Sequence, residues 1–306
     1  MRQVVTGFAL SLALMVASCG GQQDPGPPQQ AGHGPVRIGT KNFTESVILG
    51  ELYRQALEAK GLKVELQSRV GSTELTNAAL RGGSLDLYPE YIGVLLSEVD
   101  NIRTRPASPR AAYLLAKSKE ESRDFTLLKP ARLSNENALA VTRSFARRER
   151  VRSIRDLKRL RPAPRLGALP EFANRFEGLV GLAARYGLQL SLKPLEAGRQ
   201  YAQLDRGRID VAGVFTTDPQ LAGGRYTLLH DPEGVFAKQN VVPLVSKKAL
   251  KAHGPRLAAT LDSVSALLTT PAMQALNKKV EIEKRSPEQV AGEFLSDQGL
   301  TGPASG

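Results

Sequence analysis

Tryptophan is missing from this 306-residue chain, and cysteine occurs once, histidine three times and tyrosine seven times. With Cys19 as its single thiol, the chain can form no internal disulfide. His33 falls in a Gly- and Pro-rich stretch, and His230 and His253 lie away from the recurring strand ends, so neither a metal cluster nor a His-based triad is easily assembled. Also lacking are Gly-x-Ser-x-Gly, His-Glu-x-x-His, a phosphate loop and Gly-x-Gly-x-x-Gly. These gaps turn the expectation from catalysis to binding, with no metal and no cofactor. Paired carboxylates such as Asp86 and Glu90 read more economically as capping or packing groups than as an acid and its base.

Acidic residues are outnumbered, 30 against 42 Lys and Arg, for a formal charge of +12. The excess concentrates in "RSFARRERVRSIRDLKRLRPAPR" (Arg143 to Arg165). That run lacks the interleaved aromatics that stack bases, so nucleic acid is not an expected partner and a solvated face, one that anionic lipid would attract, is the reading.

A long apolar run is absent too. The stretch from Val4 to Val16 is shorter than the roughly 20 residues a membrane-crossing helix needs. With Arg2 before it and Val16-Ala17-Ser18-Cys19 after it, residues 1–18 read as a signal peptide and Cys19 as a lipidation site. Residues 19–35, "CGGQQDPGPPQQAGHGP", have little to bury and read as a flexible tether. The expected location is extracytoplasmic and membrane-anchored.

From Val36 the chain alternates. "VRIGTK", "LKVELQS" and "LDLYPEY" read as strands, separated by helices in "TESVILGELYRQALEAKG", with Thr44 as cap and Gly61 as stop, and in "STELTNAALRGG". The order returns in "PRLGAL", "PEFANRFEGLVGLAARYG", "LQLSLKPL", "GRQYAQLDRG" and "IDVAGVF". Leu80, Gly83, Leu85, Asp86 and Leu87 align with Leu204, Gly207, Ile209, Asp210 and Val211, which sets Tyr91 opposite Phe215. Two α/β lobes follow, each a parallel-dominated sheet flanked by helices. "NALAVT" (Asn137 to Thr142) and "NVVPLVS" (Asn240 to Ser246) mark two crossings between them, a hinge of the kind on which lobes close. The expected division is 36–136 with 244–306 for the first lobe and 137–243 for the second, crossings included. Helices in "AATLDSVSALLTT", "PAMQALNKKVEI" and "SPEQVAGEFLSDQGL", the last opened by Ser286, complete the first lobe.

Ligands of open parallel sheets gather at the carboxyl ends of the strands, and Tyr91 and Phe215 each stand at such an end. Tyr91 therefore reads as a wall of a shared cleft, and Tyr88 as packing.

The blocks "IGTKNFTESVILGELY", "GSTELTNAALRGGSLDLYPEYIG", "LPEFANRFEGLVGL", "GRIDVAGVFTTD" and "VVPLVS", in this order, resemble the substrate-binding proteins of osmoprotectant ABC importers, which bind glycine betaine, choline and related quaternary ammonium compounds. The resemblance implies a type II periplasmic-binding-protein fold, a monomer, and a permease and ATPase as partners. It implies an aromatic cage, since a trimethylammonium group has no N–H and is held by ring faces. Carried over, Tyr91 is a cage tyrosine and Arg175 a carboxylate clamp; Lys41 joins them. The departures are Asn137 and Gln239 where the family has tyrosines, Phe215 where it has tyrosine, Ser46 where glutamine is frequent and Val94 where threonine is common. Two lost rings, at about 0.5 to 2 kcal/mol each, would weaken such a cage by roughly one to three powers of ten. The alternatives left open are an altered, more hydrogen-bonding ligand, and a sensory or structural lipoprotein without transport coupling.

Overall fold

The computed structural model describes residues 34–102, 104 and 106–302; the expected leader and Cys19 lie outside them. No helix among the described residues is long and apolar enough to cross a membrane.

Strand β1 (Val36–Lys41) is buried almost throughout, as a strand covered on both faces must be, and runs parallel to β2 (Val64–Gly71) and β3 (Leu87–Tyr91). Helix α1 (Thr44–Ala59) joins the first two and α2 (Thr73–Arg81) precedes the third. Thr44 is not the cap: it is the first helical residue, and the N-cap position belongs to Phe43, whose backbone is extended and whose side chain offers no acceptor. The loop before α1 therefore carries a ring where a capping hydroxyl was expected.

After β4 (Phe125–Leu127) the chain crosses to a second sheet built from β5 (Asn137–Thr142), β6 (Leu166–Ala168), β7 (Leu192–Pro194), β8 (Val211–Phe215) and β9 (Tyr226–Leu228). It then returns as β10 (Val241–Ser246). The strand orders are β2-β1-β3-β10-β4 and β7-β6-β8-β5-β9. They are one plan used twice. In each, three parallel strands are followed by one antiparallel strand, and that strand is the first the chain makes after crossing from the other lobe. This is the two-lobed α/β architecture of type II periplasmic binding proteins, its sheets mixed rather than purely parallel.

The boundaries differ slightly from expectation. Val241 and Val242 pair with Tyr91 and Glu90 in the first sheet, so the return is complete before residue 241 and not at 243. Likewise "NALAVT" and β10 are not the crossing strands; each lies wholly within one sheet. The crossings are the segments just before them, held to each other by the Asn135 N–H donating to the Gln239 carbonyl at 3.0 Å and by Asn240 Nδ2 donating to the carbonyls of Ala131 and Leu133.

The aligned residues occupy equivalent places. Arg37 donates through its main-chain N–H and its guanidinium to Asp86, and to the Gly83 carbonyl; Arg165 does the same to Asp210 and the Gly207 carbonyl. Just ahead of β3 and β8 the aspartate thus replaces a missing ladder partner. Gly83 and Gly207 both take positive φ, 76° and 62°, where a side chain would be strained.

Helices Pro255–Leu267, Thr270–Glu281 and Pro287–Asp297 close the first lobe, the last capped by Ser286, whose hydroxyl accepts from the Gln289 N–H. Tyr88 is fully buried in the first lobe. The basic run lies on the second lobe with Arg148 and Arg155 exposed and paired to Glu149 and Glu233.

One expected helix does not form as a unit. "PEFANRFEGLVGLAARYG" is split into a 3-10 turn at Pro170–Ala173, an irregular turn at Phe176–Val180 and an α-helix at Gly181–Tyr186. Glu177 and Gly178 leave helical geometry, and Gly178 lies so close to the Phe172 carbonyl that a Cβ would sit 2.2 Å from its oxygen. The break re-aims Arg175 and Glu177 into the space between the lobes.

Candidate ligand-binding cleft

The carboxyl ends of β3 and β8 face each other across that space. Two adjoining cavities occupy it, the larger reaching towards Asn277 and Glu281 and the smaller towards Lys41 and Gln239, sharing Phe43, Asn135, Asn137, Leu169, Glu171, Arg175 and Phe215 as walls.

Lys41, Tyr91, Val94, Asn137, Arg175, Phe215 and Gln239 all line the smaller cavity. The first lobe supplies Lys41, Tyr91 and Val94, the second Asn137, Arg175 and Phe215, and the returning crossing Gln239. Ser46 does not reach it: fully buried, its hydroxyl accepts the Lys41 N–H at 2.8 Å and ties the end of β1 to α1.

Sequence reasoning missed the ring that joins the others. Phe43 stacks on Phe215 (centroids 5.1 Å apart, planes at 28°) and tilts against Tyr91 (5.8 Å). Its signal was the "NF" ahead of α1, which stood within the first resemblance block and was given no role.

Nor are the expected polar groups free. Asn137 Nδ2 donates to Glu177 Oε2 at 2.9 Å, and Gln239 Nε2 donates to the same oxygen while its Oε1 accepts the Val94 N–H. In place of two rings, the two amides thus converge on a buried carboxylate. Arg175 forms a bidentate pair with Glu74 of α2 on the opposite lobe, at 2.9 and 3.1 Å, with Glu171 4.0 Å away. Burial pushes Glu74 up, but hydrogen bonds from Arg175 and Ser72 outweigh it and bring the carboxyl down to about 2. The Lys41 ammonium stands 4.7 Å over the Tyr91 ring, bonds Thr73 Oγ1 at 2.8 Å and pairs with Glu90, which is itself fully buried. Burial lowers its pKa, with Glu90 pulling the other way.

Glu45, at the start of α1, bridges both lobes and the hinge. Oε1 accepts from Tyr91 Oη at 2.7 Å and Asn135 Nδ2 at 3.0 Å; Oε2 accepts from Thr217 Oγ1 at 2.6 Å and Asn277 Nδ2 at 3.1 Å. Burial raises its pKa against these four bonds. Three residues after Phe215, buried Asp218 is pushed up to about 7, chiefly by desolvation, although the Tyr201 hydroxyl and the Phe215 N–H bond it.

Such an arrangement, two like lobes, a paired hinge and a cleft walled by both, defines a solute-binding protein of the class that serves ABC importers. A family model for the substrate binding domain of the ABC-type glycine betaine transport system matches residues 34–297, and the chain belongs to that family. Among its relatives, a glycine-betaine-binding protein of Pseudomonas aeruginosa is 33% identical over 277 residues, 87% of this chain and 88% of that protein. The glycine betaine-binding protein YehZ of Escherichia coli is 28% identical over 281 residues, 87% and 92% of the two chains. A solved glycine betaine/carnitine/choline ABC transporter structure superposes with a TM-score of 0.68 at 25% identity, covering 87% of this chain and 99% of that one. The family binds and delivers; it does not catalyse. Among the described residues, no group of three or more His, Cys, Asp or Glu could hold a metal ion.

Proposed function

We propose that this protein captures a small alkylammonium or zwitterionic solute of the glycine betaine and choline class between its lobes, while tethered through a lipid on Cys19, and hands it to a permease driven by a separate ATPase. The observation that carries the reading is the meeting of rings from both lobes, Tyr91 from the first and Phe215 from the second with Phe43 between them, at the walls of the cleft. Ring faces attract an alkylated cation at about 0.5 to 2 kcal/mol per contact, and only lobe closure brings both rings to one ligand. Tyr91 and Phe215 are the proposed ring contacts, with Asn137, Gln239, Val94 and Lys41 around them and Arg175 as the group a ligand carboxylate would meet on exchange with Glu74. Ser46 would act only through Lys41, by holding its strand.

The test is a thermal-shift and calorimetric titration of the full chain with glycine betaine, carnitine, choline and their N-demethylated analogues. Stabilisation by one or more, lost in Tyr91→Ala, is the expected result. No response to any of them at millimolar concentration would overturn the assignment.

A further inference from the structure

The larger cavity shows an imbalance that the ring pair does not explain. Glu171, Glu177, Asp218 and Glu281 line it alongside Glu45, and among the described residues the one cationic side chain on its wall is Arg175, already bound by Glu74. Two of its neutral polar groups are turned the same way. Asn135 and Asn277, 4% and 2% exposed, spend their Nδ2 donors on Glu45, and the Oδ1 of each accepts no hydrogen bond. A buried carbonyl oxygen without a donor is costly, and both of these belong to residues that line the cavity. The compartment is thus rich in carboxyl groups and poor in cations.

The rings, meanwhile, are partly engaged within the protein: Lys41 covers one face of Tyr91, and Phe43 stacks on Phe215. Where two further rings were expected, Asn137 and Gln239 orient the carboxylate of Glu177. A fully methylated nitrogen has no N–H for these acceptors. An amine that keeps at least one N–H offers the same charge together with a donor, and charge-assisted hydrogen bonds are the strong ones.

We propose that the cleft selects a ligand whose cationic nitrogen bears N–H, a primary, secondary or tertiary ammonium, over the fully methylated analogue. The inference rests on the reading above and narrows it: the solute belongs to the same size and charge class, with specificity set by acceptors around Glu177, Asn135 and Asn277 rather than by ring faces alone.

Two N-methylation series test it by calorimetry on the full chain: glycine, sarcosine, dimethylglycine and glycine betaine, and ethanolamine through choline. The expected result is that, in at least one series, a member with N–H binds tenfold or more tightly than the fully methylated end. Glu177→Gln should cut that preference to less than twofold, and the wild-type series decides the matter should the variant fail to fold. A smaller preference in both series, or tightest binding of betaine and choline, overturns the inference and leaves the proposed function standing. Silence from every member of both series overturns the inference, and silence from carnitine as well overturns the proposed function with it.

Discussion

In the first lobe Arg37 clamps Asp86 and the Gly83 carbonyl; in the second Arg165 clamps Asp210 and the Gly207 carbonyl. Five residues beyond each aspartate the copies part. Tyr91 is nearly buried, with its hydroxyl on Glu45, whereas Phe215 has no hydroxyl and leans on Phe43 across the interface. The shared half is what any strand entering such a sheet needs, a donor satisfied where the ladder has not yet begun. The divergent half is what faces the cleft. The duplicated frame and the individual walls therefore answer to different physics, and variants can separate them.

The largest effect is expected at the walls. Tyr91→Ala removes a ring from the first lobe's core and a donor from buried Glu45, and should cost about 3–5 kcal/mol in urea unfolding along with tenfold or more in ligand affinity. Phe215→Ala, on a half-exposed ring, should lower affinity with a much smaller loss of stability; equal stability losses would break the distinction between wall and core.

The frame comes next. Asp86→Ala strands the Arg37 N–H and guanidinium and should cost about 1–3 kcal/mol. Asp210→Ala should cost less, because its side chain is 25% exposed against 13% for Asp86, and Arg165 is 54% exposed against 34% for Arg37. The reverse order would mean that the two clamps are not equivalent devices.

Asp218 sharpens the comparison through pH. Its folded pKa of about 7 lies above the roughly 3.9 of an unfolded aspartate, so the folded state keeps a proton that the unfolded state has released. Stability should fall as pH rises from about 4 to 7 on its account, and Asp218→Asn should flatten that slope in denaturation curves taken at pH 5 and pH 8.

The smallest effect is expected at Arg175 and Glu74, a pair that spans the lobes with Glu74 48% and Arg175 14% exposed. A double-mutant cycle should show coupling of about 1 kcal/mol or less, screened by salt and read in ligand affinity rather than in unfolding. Coupling in unfolding alone would make the pair a fixed strut.

Much of the frame was legible in the sequence because it is repetitive and local. Gly83 with Asp86 and Gly207 with Asp210 keep their spacing, since the turn and the clamp depend on backbone geometry that neighbouring residues dictate. The alternation of strands and helices showed itself for the same reason. The cleft was harder to read. Seven of its walls could be named from matched positions, but their partners could not, because Glu45, Glu74 and Glu177 meet Thr217, Arg175 and Gln239 only through tertiary contact. The helix expected from Pro170 to Gly187 had apolar spacing enough to propagate. It breaks at Glu177 and Gly178 because the packing against the Phe172 carbonyl prevails over local propensity, and that break carries two cleft residues. Ser46 shows the converse: its position beside the motif suggested contact with ligand, and burial gave its hydroxyl to the Lys41 backbone instead.

The late arrival of the first sheet's fourth strand bears on how the chain assembles. The second sheet is drawn from one continuous segment, β5 to β9, whereas the first waits for β10, more than a hundred residues after β4. A polypeptide emerging amino end first can finish the second lobe while β3 still presents a bare edge and β4 has no neighbour. That unpaired edge is a hazard for aggregation until residues 241–246 arrive to seal it, so the molecule must return late to complete the sheet it began with.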